Sequence, residues 1–215
     1  FLLTGSCGQS GSGTGHLPGA DSLHAKSRAE PLKEGLLATR PAKFLWRERR
    51  YDTVLKDTLN TIVINEALCK TLSDPERAAL GYVVTFTGSD CDYDGQPRDD
   101  FSNLKCKALD ALDLGYQCSG KHLGFLRQWF KNDSPALKEL ENCPRIPYTA
   151  TIQNTFDFIN LVVNNHTISV QFGINGVNMR AGKSWSRTET DQFDFDKDNI
   201  RLTKRAQSKI KQERF

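Results

Sequence analysis

Six cysteines, four histidines and a run of aspartates are the residues of this 215-residue chain whose types and spacing could do chemistry. Cys69, Cys91, Cys106, Cys118 and Cys143 fall within 75 residues of one another, and none makes the Cys-x-x-Cys spacing of a zinc knuckle or a redox dithiol. Oxidised pairs therefore suit them better than metal ligands. The economical pairing joins Cys91 to Cys106 across an acidic loop and Cys118 to Cys143 across the helices that follow, with Cys69 left as an apolar helix residue. Each bridge restricts the unfolded chain and contributes roughly 2 to 4 kcal/mol.

The acidic loop, Asp90-Cys91-Asp92-Tyr93-Asp94-Gly95, carries the first half of a calcium loop. Asp90, Asp92 and Asp94 bring oxygens to alternate positions, and Gly95 permits the turn. The twelfth position is Phe101 in place of a bidentate Glu, and Pro97 stiffens the second half. Asp99 and Asp100 are the replacement oxygens on offer. Any calcium affinity is then weak, with a Kd on the order of 10⁻⁴ to 10⁻³ M. A solvated acidic connection is the plain alternative, and no other cofactor is expected.

Covalent catalysis has little to work with. The chain has no Gly-x-Ser-x-Gly and no His-Glu-x-x-His, and only His122 and His166 fall inside its patterned part. His166 sits beside a turn. His122 falls in the first turn of an aromatic helix, beside Lys121 and ahead of Arg127, and these three form a candidate binding group whose alternative is a polar helix face. Gly115 to Lys121 imitates a phosphate loop but puts His122 where Ser or Thr is needed, and Gly182-Lys183-Ser184 joins two strands. Asp191 and Asp194 fall on opposite faces of a strand, which excludes them as the paired carboxylates of a glycosidase.

Near the start, Phe1-Leu2-Leu3-Thr4-Gly5-Ser6 runs apolar, then small, into Cys7. This resembles a bacterial lipobox, although Leu3 stands one place early and Thr4 occupies the usual Leu position. The resemblance implies an exported lipoprotein with Cys7 lipidated. Gly8 to Gly15 is a Gly/Ser linker of the kind a tethered domain uses.

The formal net charge is +3, from 29 basic and 26 acidic side chains, but it is unevenly spread. Residues 1–50 carry +4, residues 51–200 carry −6 and residues 201–215 carry +5. An acidic body with basic ends gives no reason to expect nucleic acid, and no run of 18 apolar residues is present to form a membrane helix. The segment Arg40–Arg50 interleaves basic residues with Phe44 and Trp46, and reads as an arm docking those aromatics on the body.

Hydrophobic periodicity supplies the elements that position these residues. From Asp52, the residues Leu55, Leu59, Ile62, Ala67 and Leu68 approximate helical spacing up to Leu72. Ser73-Asp74-Pro75-Glu76 is a capping box for a helix to about Thr87. Further helices carry Leu104 to Leu112, Leu123 to Phe130, and a short segment from Ser134. After Pro147 the period changes to 2, giving strands through Phe156 to Asn160, Ile168 to Ile174, 183 to 195 and 199 to 204, with Asn164-Asn165 and Asn175-Gly176 as turn signals.

The expected fold is α+β: an N-terminal, disulfide-bearing helical half packed on a C-terminal four-stranded antiparallel meander. Its organisation reads as signal remnant and linker (1–43), helical half (44–147), β half of the same domain (148–204) and basic tail (205–215). The expected function is that of a non-enzymatic, extracytoplasmic, lipid-anchored binding protein with an unknown protein partner, in the manner of an immunity or inhibitor protein. A secreted hydrolase with its site near His122 is the competing expectation.

Overall fold

Thr58-Leu59-Asn60-Thr61-Ile62-Val63-Ile64 is dense in β-branched side chains, which favour extended backbone over helix. The computed structural model describes residues 40–87, 104–143 and 152–214, and in it this segment is a strand. β1 (Arg40–Asp52) and β2 (Asp57–Ile64) form a hairpin in which Leu45 pairs with Ile64 and Asp52 with Asp57. The helix expected from Asp52 to Leu72 is thus replaced by this hairpin and one short helix, α1 (Glu66–Cys69). Local bonds decide the turn: Asp52 Oδ1 accepts from the amides of Val54 and Leu55 at 2.8 and 2.9 Å, and Lys56 turns to φ 53°. Such bonds can open a helix or close a turn; here Lys56 goes left-handed and the chain returns in register along β1.

The other helices follow their local signals. α2 (Asp74–Phe86) opens on the expected capping box of Ser73 and Glu76. Glu76 also pairs with Arg40 at 2.7 Å, which ties the start of α2 to the start of β1. α3 (Leu104–Ala111), α4 (Gly120–Trp129) and α5 (Ser134–Glu141) come next, α4 capped by Ser119 and α5 by Asp133.

β3 (Ile152–Asn164), β4 (Thr167–Asn178), β5 (Lys183–Phe195) and β6 (Ile200–Gln207) form the expected meander. The hairpin extends it, because β1 pairs antiparallel with β3, and the sheet order is β2-β1-β3-β4-β5-β6. A seventh strand, β7 (Lys211–Arg214), pairs with β5 alongside Lys183–Ser186. The division into a helical half and a β half is therefore corrected. Among the described residues, strands on both sides of the helices in sequence build one seven-stranded antiparallel sheet, and the helices are a minor layer inserted between β2 and β3. The basic C-terminal residues read as a tail include this last strand.

Asn175-Gly176 is not a turn either. It lies inside β4, and the chain reverses at 179–182, where Gly182 takes φ 56°. Gly176 is needed for space: a Cβ there would meet the ring of Trp185, its cross-strand neighbour, at about 2.0 Å.

Register explains the core. Ile168, Val170, Phe172 and Ile174 of β4 are buried, and so are their partners Leu161, Ile159 and Phe156 on β3 and Phe193 on β5. The intervening Ser169, Gln171, Thr190 and Gln192 lie on the other face, at least partly open to solvent. A bulge at Phe44 lets two successive side chains, Phe44 and Leu45, turn inward. The carbonyl of Phe44 accepts from the Asn65 amide at 2.9 Å. Tyr82 of α2 packs on Phe130 at 4.8 Å and on Phe193 at 6.0 Å, joining the helices to the sheet.

Candidate functional site

The expected bridge between Cys118 and Cys143 is present, with the two Cα atoms 5.9 Å apart. Cys106 is also disulfide-bonded, and Cys69 is a free, half-buried thiol. Cys7, Cys91 and the calcium-loop candidates Asp90, Asp92 and Asp94 lie outside the described residues.

His122 lies against the Cys118–Cys143 bridge and is fully buried. Cys118 takes φ 61°, a left-handed conformation rare for a residue with a Cβ. Its amide donates to His122 Nδ1 at 3.0 Å. A backbone amide cannot accept, so Nδ1 is the unprotonated nitrogen and Nε2 carries the hydrogen. Nε2 donates to Thr85 Oγ1 at 2.9 Å, and that hydroxyl passes its own hydrogen to the Gly81 carbonyl at 2.6 Å. Lys105 and Gln117 both donate to the Thr85 carbonyl, at 2.9 and 3.2 Å. Burial, and secondarily the charge of Lys105, push the imidazole down to about 4.

This arrangement separates the three expected binding residues. Lys121 is exposed and pairs with Asp113 at 2.6 Å, Arg127 is exposed further along α4, and His122 points into the core. With both ring nitrogens engaged and no solvent contact, His122 is not placed to take a proton from a water or a hydroxyl.

A second polar group is one that sequence reasoning missed. Asp191 of β5 is only 3% exposed. One of its oxygens meets Arg205 Nε at 3.3 Å, while Oδ1 is buried without a hydrogen-bond partner. Arg205 also reaches Glu139 of α5 at 3.2 Å and the Tyr82 hydroxyl at 3.0 Å, and Tyr82 in turn donates to Glu139. The guanidinium thereby clamps β6 to β5, α5 and α2. Burial outweighs the Arg205 charge and raises the Asp191 carboxyl to about 6, while burial and the bond to Glu139 hold the Tyr82 phenol protonated well above its usual range. Only the register Asp191↔Arg205 across β5 and β6 reveals this cluster.

A third feature is the β1–β2 arm. β1 pairs with β3 only as far as Trp46↔Phe158, beyond which the hairpin continues as a two-stranded ribbon. A bulge at Asp157 marks the parting, and Arg47 bridges it by donating to the Phe156 carbonyl at 3.0 Å and pairing with Asp157 at 3.1 Å. Beyond it, Val54 is 86% exposed and Tyr51 and Leu55 are each 64% exposed. Separately, a groove of about 530 Å³ lies between α1 and α3, lined by Ile64, Glu66, Cys69, Lys107 and Asp110 among others. Burial raises the Cys69 thiol, so the cysteine facing this groove is not an activated nucleophile.

No family model, no curated protein and no solved structure matches this chain.

Proposed function

We propose that this chain is an extracytoplasmic, lipid-anchored binding protein without catalytic activity, and that the β1–β2 arm is its contact element. The observation that carries the reading is the ribbon beyond Trp46↔Phe158 with Tyr51, Val54 and Leu55 at or beside its tip. A two-stranded ribbon has little stability of its own, and apolar side chains grouped at its end gain nothing in water. They gain burial against a partner. Arg49, Arg50 and Lys56 on the same ribbon are exposed and supply a charged rim, the usual surround of an apolar contact centre.

Attachment through Cys7 and export rest on the lipobox-like residues and the disulfide chemistry. No helix among the described residues is long and apolar enough to cross a membrane. The hydrolase reading gains no support from His122, which is buried and bonded at both nitrogens. The test is site-specific photo-crosslinking in the intact native envelope, with the probe at Val54 and, as control, at Asp198 on the β5–β6 turn. A discrete adduct from position 54, absent at 198 and lost on Leu55→Ser substitution, is expected. Equal labelling at both sites would remove the arm as contact element.

A further inference from the structure

We infer that reduction of the Cys118–Cys143 disulfide converts this corner of the molecule into a zinc(II) site, with the two sulfurs and His122 Nδ1 as ligands. The three donor atoms already lie within 4.8 Å of one another. Tetrahedral zinc with bonds of about 2.3 Å to sulfur and about 2.0 Å to nitrogen holds its donors roughly 3.5 to 3.8 Å apart. Opening one covalent bond between the sulfurs and closing on a single ion meets that requirement from cysteines whose Cα atoms are 5.9 Å apart.

The histidine is prepared for the task. Its Nε2–H is committed to Thr85 Oγ1, and Thr85 is committed to the Gly81 carbonyl, so the Nδ1 lone pair faces Cys118 in a fixed orientation. Zinc-ligating histidines are oriented in this way, by an acceptor on the far nitrogen. The Cys118 amide that now occupies Nδ1 is beside a half-buried sulfur, which accepts N–H once it becomes a thiolate. Two thiolates and one Zn²⁺ make a neutral unit, so burial beside His122 carries no net-charge penalty. Cys118 and Cys143 are half-buried, which leaves the solvent side for a fourth, exchangeable ligand. Soft thiolates with one imidazole select zinc over calcium or magnesium.

The redox step balances with a dithiol as reductant. It cleaves the S–S bond, leaves as its own disulfide and delivers two electrons and two protons, giving two protein thiols. Zinc binding then releases those two protons to solvent. In the oxidised state both sulfurs are consumed by their mutual bond, so the site exists in one redox state only.

The experiment is titration of the folded protein with Co²⁺ and Zn²⁺, before and after reduction by a phosphine, which adds no competing thiol. The oxidised protein is expected to bind neither ion. The reduced protein is expected to take up one ion per chain with thiolate-to-cobalt charge-transfer bands and tetrahedral ligand-field bands. These bands should vanish in His122→Asn and persist in Cys69→Ala. Thr85→Val, which keeps all three ligands but removes the acceptor on Nε2, should weaken affinity about 10- to 100-fold. The same titration in a background with Cys7, Cys69, Cys91 and Cys106 all changed to Ser confines the available thiols to Cys118 and Cys143. Reduced protein that binds no ion, or binds it equally well as His122→Asn, overturns the site. So does a chain that unfolds on reduction whether or not zinc is present.

Discussion

Between pH 6.5 and 4 two buried side chains work against each other. The unfolded chain protonates a histidine near 6.5, whereas His122 in the fold accepts a proton only near 4. Over that interval the unfolded state binds more protons, so falling pH removes about 3 kcal/mol of stability through this residue. Asp191 runs in the opposite sense. Its folded pKa of about 6 lies above the ordinary 3.8, so the folded state binds the extra proton and falling pH adds about 3 kcal/mol over the window from 6 to 4. Asp191→Asn removes the second contribution alone. Urea unfolding from pH 7 to pH 4 should show the variant losing about 3 kcal/mol relative to wild type as the pH falls. A variant curve parallel to wild type would mean that Asp191 titrates normally. Sequence reasoning placed His122 in the first turn of a helix, correctly, but nothing within a few residues of it reveals Thr85 or Lys105.

The helices and meander strands are tied together by single side chains at their ends, and those residues are where elements are vulnerable. Asp133 caps α5 by accepting from the Ala136 amide at 3.1 Å, and its other oxygen accepts from Leu202 of β6 at 2.8 Å. Leu202 lies beside the bulge that shifts the β5–β6 register. Asp133→Ala leaves both amides without this acceptor and should cost about 2 to 3 kcal/mol, read as a lower denaturant midpoint at unchanged slope. Gly176→Ala pushes Trp185 off β4 and should cost about 1 to 3 kcal/mol. The arm behaves differently. Leu55→Ser touches no core contact, so thermal stability should stay within about 0.5 kcal/mol of wild type while the crosslink from position 54 is lost. The sequence marked the start of α5 at Ser134 but not Asp133 as its cap, and the second bond, to β6, spans 69 residues.

For the molecule as a whole, the disulfide closes a loop of 25 residues around α4 and α5. Cys118→Ser with Cys143→Ser should lower stability by about 3 kcal/mol, because the unfolded chain regains that freedom. A much smaller loss would mean that the helices hold this corner closed without it. Anchoring belongs to the same scale: Cys7→Ser should move the protein from the membrane fraction to the soluble one in its native host, and unchanged fractionation would remove the lipoprotein reading.

By itself, the sequence determined the features that are encoded over short distances. The capping box before α2, the four β-period runs after Pro147 and the tight reversal at Asn164-Asn165 each depend on residues within one or two turns of chain. It also contained a signal that was outweighed: the β-branched run Thr58–Ile64 favours a strand, yet Leu55, Leu59 and Ile62 imitate a helical period when read without their partners. Tertiary structure decided that β1 pairs with β3, setting Arg40 opposite Val163, and that the strands before and after the helices share one sheet. It alone placed Thr85 against His122 and Arg205 against Asp191. The physical reason is range. Propensities and caps act through neighbouring peptide groups, whereas strand order and the burial of a charged or titratable side chain depend on which distant surface comes to cover it.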